Sequence, residues 1–110
     1  MAQYSGDDMV HIMAALSNPH RMRVVATLVD SPNYVSQLAR ELEISRPLLQ
    51  VHLRRLEAAG LVTSEMRISD EGKAMKFYTV EPFALQLSPE TIARGATSLS
   101  LHTDEGGADR

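Results

Sequence analysis

The stretch Val35-Ser36-Gln37-Leu38-Ala39-Arg40-Glu41-Leu42-Glu43-Ile44-Ser45-Arg46-Pro47 decides how this chain is read. Val35, Leu38, Ala39 and Leu42 recur at i, i+3, i+4 and i+7, the period of one apolar helix face. Only Glu43, Ile44 and Ser45 remain before a second helix must start. Ser45 is a good N-cap residue, and Pro47 is tolerated in a first turn, where its missing N–H would have no intrahelical partner. That helix is expected to run to Ala59. Gly60 stands where a left-handed C′ residue belongs, and Leu61 is placed to pack back on Leu56, the contact that accompanies a Schellman motif. Two helices joined by so short a turn, with Leu42 and Ile44 bracketing it, are the helix-turn-helix arrangement.

Upstream, Met9, Ile12, Met13 and Leu16 repeat the same period and predict a first helix. Asn18-Pro19 reads as an N-cap and first helical position. The second helix should reach about Val29, with Met22, Val25, Leu28 and Val29 inward. Asp30-Ser31-Pro32-Asn33 is a cluster of turn residues. Downstream of Gly60 the period changes to two. Val62, Ser64, Met66 and Ile68 fall on one face of an extended segment, and Thr63, Glu65 and Arg67 on the other. Ser69 to Lys73 supply a Gly-containing turn, and Met75 to Val80 make a second strand. Ser88-Pro89-Glu90-Thr91 starts a short helix ending near Gly95. The expected class is mainly α with a small β-hairpin: a winged helix-turn-helix of three helices, a recognition helix and a two-stranded wing, with a short C-terminal helix. Residues 1–8 are expected to be a flexible N-terminus, 9–95 the domain, and 96–110 a disordered acidic tail.

A chain of 110 residues suits one domain with one modest core. It has no Cys, which excludes a disulfide framework and a thiolate metal site. The net charge of −3 is unevenly spread. Residues 18–80 carry nine Lys and Arg against seven Asp and Glu, and the acidic excess lies at the two ends. The middle can therefore present a basic face to a polyanion. The N-terminal residues lack the basic start and apolar core of a signal peptide, and no apolar run is long enough to span a membrane. The expectation is a soluble, cytoplasmic protein with no membrane partner.

The face of the fourth helix states the chemistry most directly. Around its axis Leu48, Leu49, His52, Leu53, Leu56 and Ala59 fall on one side, and Pro47, Gln50, Val51, Arg54 and Ala58 on the other. Arg46 and Glu57 lie at the edge of the second side, and Arg55 on the opposite boundary. Gln50 can pair bidentately with adenine and Arg46 with guanine, while Pro47 and Val51 can lie against a thymine methyl. Arg54 and Arg55 are a turn further on, where phosphates would run, and Arg67, Lys73 and Lys76 would meet phosphates from the wing. Ser36, Gln37 and Ser45 complete the candidate DNA-binding set. An ordinary amphipathic surface helix would show the same alternation. The tight turn before it and the hairpin after it weigh against that reading.

Several stretches together resemble the ArsR-type winged-helix regulators: Ala15-Leu16-Ser17-Asn18-Pro19-His20-Arg21, Val35 to Leu42 with Ile44-Ser45, Val51-His52-Leu53-Arg54-Arg55-Leu56-Glu57-Ala58-Ala59-Gly60-Leu61-Val62, and Phe77-Tyr78-Thr79-Val80. The likeness covers about residues 9–80. It implies a dimeric repressor that binds double-stranded DNA and releases it when an effector binds. Three departures stand out. Glu43 occupies the turn where family members often carry Gly. Tyr34 and Ser36 stand where the metal-sensing members place two Cys. The last helix is short, and His102 is the sole histidine near it. The resemblance together with Met9, Val10, Ile12, Met13, Leu16 and Ile92 suggests that the terminal helices form a two-fold dimer interface.

The histidines do not cluster at ligand spacing. His11 lies off the first stripe, His20 sits at a helix start, and His52 is expected inward as a hydrogen-bonded ring. Six Met residues read as core filler. There is no phosphate loop, nucleophile elbow or paired His-Glu zinc motif. No metal and no cofactor are expected, no enzyme is read, and the residues name no effector. The alternative reading is a winged-helix module that binds protein without binding DNA, which the fold by itself does not separate from a DNA reader.

Overall fold

The computed structural model describes residues 4–100. In chain order it has α1 (Gly6–Leu16), α2 (Pro19–Asp30), β1 (Asn33–Tyr34), α3 (Val35–Leu42), α4 (Arg46–Ala58), β2 (Val62–Ile68), β3 (Ala74–Val80) and α5 (Pro89–Ala96). They group into two compact units. One is formed by Ile12–Pro82, the other by residues 4–11 with 83–100.

In the larger unit α2 and α4 begin where a side chain satisfies otherwise orphaned amides, whereas α3 follows Tyr34 with no side-chain cap. Asn18 Oδ1 accepts from the N–H groups of His20 (2.9 Å) and Arg21 (3.1 Å) at the start of α2. Ser45 Oγ accepts from Leu48 N–H (3.2 Å) at the start of α4. At the far end of α4, Leu61 N–H reaches the Leu56 carbonyl (2.9 Å) and Gly60 N–H the Glu57 carbonyl (3.0 Å). Gly60 has φ +77°, so the Schellman closure expected from the sequence is present, with glycine supplying the left-handed step. The core under these helices is Val24 and Leu28 of α2, Leu38 and Ala39 of α3, and Leu49, Leu53 and Leu56 of α4, with Leu61, Val62 and Tyr78.

Three expectations are corrected here. α2 buries Val24 and Leu28, while Met22 and Val29 are exposed and Val25 is half-buried. The helix is apolar on two sides, so Met22, Val25 and Val29 made a second stripe at helical spacing that periodicity does not distinguish from the true one. Leu48 of α4, placed inward from the wheel, is 40 % exposed, because it lies at the edge of the buried arc marked by Leu49, His52, Leu53 and Leu56. The sheet has three strands and not two, in the order β1-β3-β2. The residues Asn33 and Tyr34, of which Asn33 was read as loop, pair antiparallel with Tyr78 and Phe77. The Tyr34 ring meets Phe77 edge-on at 5.3 Å. Two residues are too short a run for alternation to show. The hairpin follows expectation, in the register Val62↔Val80 through Ile68↔Ala74.

In the smaller unit α1 starts at Gly6, three residues before the first apolar position from which the helix was read. Asp8 N–H donates to Ser5 Oγ (3.0 Å) and Ser5 N–H to the Asp8 carboxylate (3.1 Å), a reciprocal cap. The spacing Ser5-x-x-Asp8 is its sequence signature. α5 starts in the same way, with Thr91 N–H on Ser88 Oγ (3.1 Å) and Ser88 N–H on Thr91 Oγ1 (2.9 Å), as its Ser-Pro-Glu-Thr start foretold. A Cβ at Gly6 would collide with the Gly95 carbonyl, so glycine is what lets α1 approach α5. Gly6 N–H donates to Ser98 Oγ (2.8 Å) and Ser100 N–H to the Asp7 carboxylate (2.9 Å). Residues 101–110 of the expected tail, His102 among them, lie outside the described residues. No helix among the described residues is long and apolar enough to cross a membrane.

Candidate nucleic-acid interface

The turn between α3 and α4 sets the direction in which α4 leaves the body. Glu43 takes φ +57°, ψ +44°, the left-handed conformation. Its N–H reaches the Arg40 carbonyl (3.3 Å), and Ile44 N–H the Ala39 carbonyl (3.1 Å). The same closure that ends α4 on a glycine therefore ends α3 on a glutamate. An L-residue there carries a strain of about 1 kcal/mol. The next residue but one, Ser45, is extended and caps α4.

α4 buries Leu49, His52, Leu53 and Leu56, and these four fix its rotation. What remains outward is Arg46, Pro47, Val51, Arg54, Arg55 and Ala58, with Gln50 half-buried beside them. Among the described residues, the guanidinium groups of Arg46, Arg54 and Arg55 make no hydrogen bond or ion pair. The sole carboxylate of the helix, Glu57, accepts from Ser64 Oγ (3.2 Å), which links the end of α4 to β2. The outward face is thus cationic, with an apolar centre at Pro47 and Val51. Leu48 adds an exposed leucine on its flank, a residue the sequence reading did not include.

The other candidate residues are distributed as follows. On α3, Ser36 is half-buried. The Gln37 amide is engaged within the helix, its Nε2 donating to Glu41 (2.7 Å) and its Oε1 accepting from Arg40 (2.6 Å). Ser45 Oγ is occupied by the cap. On the wing, Arg67 donates to Glu65 (2.7 Å) and its guanidinium lies 4.8 Å over Phe77, so its charge is partly spent inside the chain. Lys76 Nζ sits 5.6 Å over the Tyr78 ring, and Lys73 is exposed at the turn. The turn also carries Asp70 and Glu71, both exposed.

Behind α4 lies a polar contact that sequence reasoning half anticipated. His52 is 5 % exposed. Arg21 of α2 donates through Nη1 to His52 Nδ1 (3.2 Å) and through Nε to the Ala15 carbonyl at the end of α1 (2.6 Å). A guanidinium has no lone pair to offer, so Nδ1 must accept and the ring proton sits on Nε2. Nε2 is buried without a hydrogen-bond partner among the described residues. Burial first, then the positive Arg21, His20 and Arg55, hold the His52 pKa below its ordinary value of 6.5. The ring is neutral at physiological pH and lies tilted by 34° against the His20 ring, with centroids 5.4 Å apart. Among the described residues no group of three His, Cys, Asp or Glu side chains comes together as a metal would require.

Comparison with known proteins gives this geometry its family. The model of the arsR family of bacterial regulatory proteins matches residues 18–64, which contain α2, α3, α4 and the start of β2. An HTH-type transcriptional regulator of Methanocaldococcus jannaschii is 37 % identical over 87 residues, 79 % of this chain and 90 % of that protein. The chain belongs to the arsR family of transcriptional regulators. As a member it is a DNA-binding regulator and not an enzyme. The transcriptional repressor SmtB of Mycobacterium tuberculosis is 39 % identical over 54 residues, 49 % of this chain and 40 % of that protein. Among solved structures, HlyU from Vibrio cholerae superposes with a TM-score of 0.58 at 27 % identity, covering 83 % of this chain and 87 % of HlyU. A homodimeric winged helix-turn-helix DNA-binding domain from Mycobacterium bovis superposes with a TM-score of 0.57. It covers 80 % of this chain and 70 % of its own, and at 22 % identity it speaks for the fold alone.

Proposed function

We propose that this regulator is a dimeric, cytoplasmic repressor that reads double-stranded DNA with the outward face of α4. The observation that carries the reading is the set Arg46, Arg54 and Arg55, exposed, unpaired among the described residues and held in line by a helix whose other face is locked in the core. Gln50 and Arg46, in the first turns, read base edges in the major groove, and Pro47 and Val51 supply apolar contact to thymine methyls. Arg54, Arg55, Lys73 and Lys76 meet phosphates, and Arg67 does so to the extent that it leaves Glu65. Ser36, Gln37 and Ser45 border the groove from α3 and the turn. The DNA-binding domain is residues 9–95 together with the first turn of α1. Repression and pairing of two chains are supported by the named repressor among its relatives and the homodimeric fold neighbour.

The test is selection of bound sequences from a random duplex pool by the full chain, followed by affinity measurement at two salt concentrations. A recovered consensus whose affinity falls as salt rises is the expected result, since each phosphate contact displaces counterions. Recovery of no sequence, with binding to no duplex at low salt, would overturn the reading.

A further inference from the structure

Three of the four side chains that α4 buries are leucines, Leu49, Leu53 and Leu56, and their apolar contact has no preferred direction. The fourth, His52, gives the seat of α4 a directional contact, because a hydrogen bond weakens steeply once it is misaligned. Its partner Arg21 is half-buried and holds more than one group. Nη1 donates to His52 Nδ1 (3.2 Å), Nε to the Ala15 carbonyl (2.6 Å), and Nη2 reaches the Ala14 carbonyl at 3.5 Å. One guanidinium at the start of α2 thus ties the last turn of α1 to the middle of α4. The charged groups that act on His52 are Arg21 and His20 of α2 and Arg55 of α4. All are basic, so none of them would balance a second proton on the ring. Gln50 and Arg46, two and six residues before His52, ride on the same helix.

We propose that Arg21 is a positioning residue for DNA reading, and that a second proton on His52 breaks its hold on α4 and costs the protein its choice of sequence. This rests on the DNA-reading face proposed for α4. In the neutral ring Nε2 carries the proton and Nδ1 offers its lone pair to Arg21. A proton taken from solvent converts Nδ1 from acceptor to donor. Arg21 keeps its charge and has donors only, so the hydrogen bond is lost and two cations are left face to face. Burial first, then Arg21, His20 and Arg55, hold the His52 pKa below 6.5, which puts the change on the acid side of neutrality. Arg21 is anchored at the Ala15 carbonyl as well, so the two cations part by a shift of α4. Gln50 and Arg46 then leave the base edges. Phosphate contacts carry no sequence information and depend on charge more than on exact placement, so they persist. Any proton gained by His11 or His20 acts in the opposite sense, adding charge that strengthens binding to every polyanion.

The experiment measures the affinity of the full chain for the duplex recovered from the random pool and for a scrambled duplex, at about pH 7.5 and about pH 5.5 and one salt concentration. The ratio of preferred to scrambled affinity should fall on the order of tenfold in acid, with the helical signal unchanged. His52→Asn and His52→Gln each offer an amide oxygen to Arg21, and neither titrates. Whichever of the two melts closer to the wild-type chain should match its ratio at the higher pH and keep that ratio at the lower. Arg21→Met keeps an unbranched stem but has no donor, so its ratio should be low already at the higher pH and change little further. His20→Gln should fall with pH as the wild-type chain does. A wild-type ratio that ignores pH would overturn the proposal, and so would a fall that persists in the His52 variant. Wild-type discrimination by Arg21→Met at the higher pH would count against it equally. A fall that comes with loss of the helical signal would overturn it too, since unfolding would then be the cause. Binding of no duplex by the wild-type chain at the higher pH would overturn the reading of α4 and this proposal with it, a result distinct from each of the others.

Discussion

Two residues carry local tension that a measurement can read. Glu43 holds the left-handed conformation that ends α3, and it does so with a side chain. Glycine reaches that conformation without a Cβ penalty but gives up more freedom on folding. The balance favours Glu43→Gly by about 0.5–1 kcal/mol, seen as a rise in the urea midpoint with unchanged m-value. A fall in stability would mean that the Glu43 side chain contributes something its geometry does not reveal. His52 is the second. Its folded pKa lies below 6.5, with burial the first cause and Arg21 the next. The folded state therefore binds fewer protons than the unfolded one. The contribution to stability is complete above about pH 6.5 and is lost as pH falls below it, towards the lowered folded value. Melting at about pH 7.5 and about pH 5 should show a larger loss for the wild-type chain than for His52→Gln, which keeps an acceptor for Arg21 but does not titrate. Equal losses would locate the acid sensitivity elsewhere.

At the scale of elements, what could be read in advance follows from how each helix or strand is held. α4 and α5 announce themselves because their ends are local chemistry: Ser45 with Pro47, Gly60 with Leu61, Ser88 with Thr91. The buried face of α4 was legible from Leu49, His52, Leu53 and Leu56. The inward side of α2 was not, because two apolar stripes compete and only the packed core selects Val24 over Met22. β1 has two residues and exists through its partner β3, so no local signal foretells it. The candidate interface was legible in its residue types, and less so in their engagement. Nothing in the spacing says that Gln37 is held by Arg40 and Glu41, or that Arg67 is held by Glu65. These engagements separate the expected mutant effects. Ser45→Ala removes the cap of α4 and should cost about 1 kcal/mol of stability, with DNA affinity falling through the helix start. Gln50→Ala should leave folding alone, cost about 1–3 kcal/mol on the preferred duplex and relax choice at one position. Lys73→Ala should weaken all duplexes alike and lower the salt slope by about one unit. If Gln50→Ala weakened scrambled duplexes as much as the preferred one, Gln50 would be a backbone contact and the reading helix would be turned differently in the groove.

For the whole molecule the open quantity is the number of chains on DNA, and the smaller unit supplies the argument. Met9 and Ile12, put forward from the sequence as interface residues, are buried in the chain's own core, and Met13 and Leu16 are half-buried. That removes Met9 and Ile12 from any surface a second copy can reach without rearrangement. Val10 at 48 % and Ile92 at 51 % exposure remain, and Leu87 and Leu99 of the same unit are exposed too. Four large apolar side chains left in water on a unit of this size form the surface on which the proposed pairing of two chains can be tested. A two-fold pair would set two α4 helices about one helical turn of DNA apart on a near-palindromic site. The affinity of such a pair depends on both half-sites being engaged at once, so splitting it should weaken binding by on the order of 100-fold with no residue of the DNA face altered. Val10→Glu together with Ile92→Glu should convert the protein from two chains to one by light scattering at micromolar concentration, with the helical signal retained. The same variant should bind a single half-site duplex as the wild-type chain does. Loss of half-site binding as well would mean that the substitutions damaged the reading unit. A variant that stays dimeric would place the interface on some surface other than Val10 and Ile92.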